Sequence, residues 1–206
     1  MKTAASTPTV IICPGNGCTN ICDSNWYDTL HRHLLDKSIS SVCENFPDPY
    51  HARRKKWVPH IRSLAEQSSS EDPSNVILVG HSSGAQAALR YAELYETRGI
   101  VLVAATYSDL GDAGERASGY YPQSGTNQGE ETNPYKFQEM TKNCKRWVQL
   151  HSDNDPFIPL YEAERIRDGL IGQGNDGYSY EYIMLPGRFH FFEFSPEILD
   201  AVMSLS

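Results

Sequence analysis

The residues Gly80-His81-Ser82-Ser83-Gly84 set a serine between two glycines, each two positions away. Four apolar residues, VILV, lead into this stretch and an alanine-rich segment follows it. A nucleophile on a sharp strand-to-helix turn needs this pattern, because side chains two residues to either side would collide there. Only Ser82 satisfies G-x-S-x-G. A frame centred on Ser83 would need glycines where His81 and Ala85 stand. The chemistry implied is nucleophilic attack on a carbonyl. Ser82 is the expected nucleophile, and the backbone N–H of Ser83 is an expected oxyanion donor at a helix N-terminus.

A serine hydroxyl needs a base, and the base needs an acid to orient it. The chain order expected after such a turn is serine, acid, histidine. Two histidines follow Ser82, His151 and His190. His151 comes before the acidic cluster HSDNDP and would keep the order only with an earlier acid such as Asp109. His190 lies in LPGRFHFFEF, beyond the last apolar run, and is the expected base. Asp155, fixed in a stiff turn by Pro156, is favoured as the acid over Asp153. The run Pro14-Gly15-Asn16-Gly17-Cys18 follows the first apolar segment. It is expected to give the second oxyanion donor from the backbone of Asn16 or Gly17. Neither G-x-x-x-x-G-K-[ST] nor G-x-G-x-x-G occurs, so this loop does not read as a phosphate cradle. Trp26, Tyr120 and Tyr121 are expected at the substrate rim. Asp48 and Asp109 are the candidates to pair with a substrate amine.

Positioning these residues requires strands that end at one edge. Short apolar runs at 9–13, 39–43, 76–79, 100–104, 147–150 and 180–185 read as strands. Helical spacing marks 25–37, 57–65, 84–95, 160–170 and 196–205, the second starting near Val58 so that Pro59 falls in its first turn. Such alternation argues a doubly wound parallel sheet of about six strands with helices on both faces. Functional residues then gather beyond the carboxyl ends of the strands. A polar stretch at 119–134 reads as an excursion over one α/β domain spanning 1–206, not as a linker.

The 206 residues suffice for one sizeable core. A net charge of −8 argues against nucleic acid or an anionic membrane as partner. No apolar run reaches the ~18–20 residues of a spanning helix, and no leader pattern opens the chain, which fits a cytoplasmic protein with access to the nucleus. Five cysteines at irregular spacing fit reduced thiols, and no metal or other cofactor is called for.

VIICPGNG, NWY at 25–27, NFPDP at 45–49, ILVGHSSGAQAALRYAE, IVLVAATYSDLGDAGERASGYY and DPFIP resemble the compact α/β-hydrolase family of retinoblastoma-binding protein 9. The run YSDLGDAGERASGY at 107–120 is far more specific than the serine motif alone. The resemblance implies a compact α/β-hydrolase fold and a triad of Ser82, Asp155 and His190. It also implies a serine hydrolase with esterase or aminopeptidase-like activity on a small-molecule ester or amide. The rival expectation is a binding protein on the same fold with little or no catalysis. Cys18 stands where the family has glycine, the loop 121–134 is longer than usual, and the loop after His190 is shorter and more aromatic. The Leu-x-Cys-x-Glu motif tied to retinoblastoma-protein binding is absent, since 64–71 reads LAEQSSSE, so that partnership is not supported.

Overall fold

The computed structural model describes residues 7–68, 71–124, 131–173 and 177–206. Its main sheet uses β1 (Thr9–Cys13), β2 (Ser41–Val42), β3 (Val76–His81), β4 (Gly99–Val103), β7 (Arg146–Ser152) and β8 (Ser179–Leu185), with β5 (Gln123–Ser124) and β6 (Glu131–Thr132) forming a separate antiparallel pair. The helices are α1 (Tyr27–Asp36), α2 (Arg54–Ser68), α3 (Ser83–Ala92), α4 (Ala113–Ser118), α5 (Phe137–Asn143), α6 (Leu160–Ile171) and α7 (Pro196–Leu205). The six main strands lie in the order β2-β1-β3-β4-β7-β8, and every neighbouring pair is parallel.

Strands β1, β3 and β4 are buried along their whole length, which is why they read as unbroken apolar runs rather than alternating ones. Alternate residues still part between two cores. Val10, Ile12, Ile77 and Val79 pack with Leu30 and Leu34 of α1 and Ile198 and Val202 of α7. Ile11, Cys13 and Leu78 face Trp57 and Ile61 of α2, the alanines of α3 and Ile166 of α6. Winding runs from β1 outward to β2, then returns past β1 to β3. The sheet therefore has its switch point between β1 and β3, where open α/β sheets hold their ligands.

Two expectations from spacing need correction. Helix α2 starts at Arg54, so Pro59 lies in its second turn. The carbonyl that Pro59 cannot meet belongs to Lys55, an exposed residue, where water can satisfy it. The segment between β4 and β7 holds α4 and α5, which the apolar period does not reveal because both are short. Helix α4 carries its own signals: the Asp112 carboxylate accepts the Glu115 N–H at 2.8 Å, and Gly119 closes the helix at φ +84°. Of the polar excursion, residues 125–130 lie outside the described residues.

That excursion is fastened to α3 by a buried ion pair. Arg90 and Glu93 have side chains only 1% exposed, and they meet at 2.5 Å. Arg90 also donates to the carbonyls of Tyr120, Asn133 and Pro134. Glu93 also accepts from Arg54 at 3.1 Å and from the Lys136 N–H at 3.0 Å. Removing one member leaves the other charge buried without its partner, which costs about 3–5 kcal/mol. Glu93→Gln should lower the free energy of urea unfolding by about that amount. A loss under about 1 kcal/mol would show that the pair does not hold the excursion.

Candidate active site

Ser82 follows β3 directly and precedes α3, with φ +53° and ψ −119°. A serine holds this conformation only where the surroundings enforce it. Its N–H donates to the Val103 carbonyl at 3.0 Å, extending the β3–β4 ladder by one residue. The flanking glycines are required by contact. A Cβ on Gly84 would lie 2.1 Å from the Cys13 carbonyl oxygen, and one on Gly80 would lie 2.5 Å from the Gly84 oxygen. The start of α3 thus touches the end of β1, bringing the serine turn beside the loop that begins at Pro14.

His190 stands beyond β8, in the loop 186–195. Its Nδ1 lies 2.8 Å from Oδ2 of Asp155, whose carboxylate is fully buried while the imidazole is 9% exposed. The other Asp155 oxygen accepts the N–H groups of Phe157 and Ile158 at 2.9 and 3.0 Å. Burial pushes this carboxyl up, but the hydrogen bonds from His190, Ile158 and Phe157 outweigh burial and hold it below the usual carboxylate range. Asp155 therefore stays ionised, an acceptor for an Nδ1–H, and His190 is left to present Nε2.

Ser82 and His190 line one cleft of about 540 Å³, with Gly15, Asn16, Phe157 and Phe192. Of the oxyanion candidates, Ser83 begins α3, so its N–H is among those the helix itself cannot satisfy. In the first loop Gly15 donates to Tyr27 Oη at 2.8 Å and Gly17 donates to the Pro49 carbonyl at 2.8 Å. Both glycine N–H groups are thereby committed elsewhere, which leaves the Asn16 N–H as the loop's candidate donor.

The alternative histidine and acids have other work. His151 is buried within β7 and bonds the Ile158 carbonyl through Nε2. Asp153 accepts the Gly187 N–H at 2.9 Å, holding the His190 loop. Asp109 pairs with Arg116 at 2.8 Å, and Asp48 grips Arg53 through both oxygens.

Of the three aromatics expected at the rim, Tyr121 lines the cleft and donates its hydroxyl to Glu115 at 2.7 Å. Trp26 and Tyr120 do not line it. They are 1% and 0% exposed, and Trp26 spends its indole N–H on the Phe191 carbonyl at 2.8 Å. Their aromatic bulk serves packing. The cleft is instead walled by Leu110, Phe157, Ile158 and Phe192, and its charged lining includes the carboxylates of Asp112 and Glu115. Sequence reasoning also passed over Tyr27 and His81, which stand at the back of the site. The histidine inside the serine motif was the available signal.

Residues 10–171 match the family model described as Serine hydrolase. The chain is 34% identical over 167 residues to Serine hydrolase RBBP9 of Rattus norvegicus, covering 81% of this chain and 82% of that one. In fold it is similar to the ydeN gene product of B. subtilis, with TM-score 0.75 and 21% identity over 97% of this chain and 98% of that one. It is similar also to TT1662 of Thermus thermophilus, with TM-score 0.68 and 13% identity over 98% and 88% of the two chains. These structures bear on the fold, an α/β hydrolase-like sheet, and the sequence match bears on the family. The chain belongs to the serine hydrolase family.

Proposed function

We propose that the protein cleaves small esters or amides through an acyl-enzyme on Ser82, with His190 as base and Asp155 as its orienting acid. The observation that carries this reading is the buried Asp155–His190 pair, opening on the same cleft as a serine held at positive φ. His190 Nε2 takes the Ser82 proton as Oγ bonds to the substrate carbonyl carbon. The N–H groups of Ser83 and Asn16 receive the oxyanion. His190 then protonates the leaving group as its bond to carbon breaks, and next takes a proton from water as that water attacks the acyl carbon. The acid departs and Ser82 regains its proton. Base catalysis of this kind contributes about 10²–10⁴-fold, and one oxyanion donor about 10²–10³-fold.

The cleft's size suits a small molecule rather than a polymer. Its lining pairs an aromatic wall with Glu115 and Asp112 and, among the described residues, includes no lysine or arginine, which favours neutral or ammonium-bearing substrates over anions. This supports an aminopeptidase-like preference. Asp48 and Asp109, first considered for the amine, are each tied to an arginine and lie outside the lining. Glu115 replaces them in that role.

Ser82→Ala should abolish turnover of 4-nitrophenyl acetate with the thermal transition unchanged, and Asp155→Asn should lower kcat by about 10³–10⁴-fold. Retained turnover in Ser82→Ala, or none in the wild type, would favour a binding protein on this fold. With Asp155 held below its usual range and His81 held down to about 3, neither gains a proton near neutrality. The acid limb of log kcat/KM should therefore rise with unit slope. A slope of two would name a second titrating group. A free aminoacyl ester should react faster than its N-capped analogue, by about tenfold for a partly exposed charge pair. Glu115→Gln should erase that difference, and equal rates in the wild type would remove the amine assignment.

A further inference from the structure

His190 is held in a backbone that does not hold itself. Its two neighbours, Phe189 and Phe191, both sit in the left-handed region at φ +51° and +52°. Non-glycine residues are strained there, so the loop needs outside clamps. From one side, Ser152 Oγ and Asn154 Oδ1 accept the N–H groups of Arg188 and Phe189, each at 2.9 Å. From the other side, the clamps act on carbonyls. Trp26 Nε1 donates to Phe191, and His81 Nε2 lies 2.8 Å from the carbonyl oxygen of His190 itself.

Tyr27 Oη accepts from the Gly15 N–H at 2.8 Å and from Asn25 Nδ2 at 3.0 Å, while Cys18 Sγ stands farther off at 4.0 Å, leaving His81 as the close acceptor. Its own proton therefore goes to His81 Nδ1, 2.7 Å away. Nδ1 is then an acceptor, the ring proton sits on Nε2, and Nε2–H donates to the His190 carbonyl. Such a ring must stay neutral. Protonation would put a second N–H against the Tyr27 hydroxyl, which already accepts two. Burial, with His190 nearby, keeps His81 unprotonated.

We propose that Tyr27 and His81 are positioning residues, a buried hydrogen-bond relay that runs Gly15 N–H to Tyr27 to His81 to the His190 carbonyl and fixes the oxyanion loop and the catalytic base in one frame. The inference rests on the hydrolase reading above. One end of the relay anchors the residue next to the Asn16 oxyanion donor. The other anchors the main chain of the base. The middle, His81, is the residue immediately before the nucleophile. A misplacement of about 1 Å at a reacting group costs on the order of 100-fold in rate. Breaking the relay should therefore act on the chemical step and leave binding in place.

The test is the rate of covalent labelling by an alkyl fluorophosphonate, resolved into its maximal rate and its half-saturation concentration, with thermal unfolding recorded for every variant. Tyr27→Phe removes only the hydroxyl and should lower the maximal rate about 10–100-fold, with half-saturation unchanged within twofold. His81→Leu should do the same, and the Tyr27→Phe/His81→Leu pair should be no slower than the slower single variant, because one relay is broken once. His81→Gln offers both an acceptor and a donor and should recover at least tenfold over His81→Leu. Additive losses, equal rates for Gln and Leu, or losses confined to half-saturation would overturn the relay. If His81→Leu fails to fold, Tyr27→Phe decides: a wild-type maximal rate in it would overturn the proposal. Absence of labelling in the wild type would instead strike the hydrolase reading itself.

Discussion

The architecture of the site depends on how closely helix α3 approaches strand β1. No side chain fits at Gly84, where even a Cβ would lie 2.1 Å from the Cys13 oxygen. This approach drives the chain through the positive φ of Ser82 and sets the serine turn against the Pro14–Gly15 loop. Both oxyanion candidates follow from the same contact, one on each side of it. Gly80 completes the constraint from below, since its Cβ would strike the first turn of α3. The strain is local, and the long buried ladder of β1, β3 and β4 on either side makes it tolerable.

A second strained segment faces the first. The His190 loop carries two left-handed phenylalanines, and its conformation is set by groups from three places in the chain: Trp26, His81 and the Ser152–Asp155 turn. The acidic turn after β7 is economical in this respect. Asp155 grips the imidazole, while Asp153 and Asn154 grip the backbone that carries it. The carboxylate that does not reach the ring still positions it. Strain at these two loops is braced in each case from a rigid sheet edge.

The turn at Ser82 was legible in the sequence because its determinants are local: two glycines, a strand before and a helix after. Asp155 and His190 were legible through chain order and the position of Pro156, and the sheet through its unbroken apolar runs. What was not legible depends on distant partners. Trp26 and Tyr120 carry the residue types of a pocket wall, yet the same types fill cores, and only the fold decides between the two. The N–H groups of Gly15 and Gly17 are set apart from that of Asn16 by their distant partners, Tyr27 and the Pro49 carbonyl. Tyr27, His81 and His190 are separated by 54 and 109 positions, so no spacing rule connects them. Helices α4 and α5 were missed because six or seven residues give too few turns for a period to show, although the cap at Asp112 was there to be read.

The central claim is that Ser82 becomes covalently acylated because Asp155 and His190 activate it. Peptide mass spectrometry after a stoichiometric fluorophosphonate reaction tests this most directly. The account predicts a single adduct, on the peptide bearing Ser82 and on Ser82 rather than Ser83, that is lost in His190→Ala. An adduct on Ser83 or on a residue outside the cleft, or full labelling of Ser82 without His190, would contradict it.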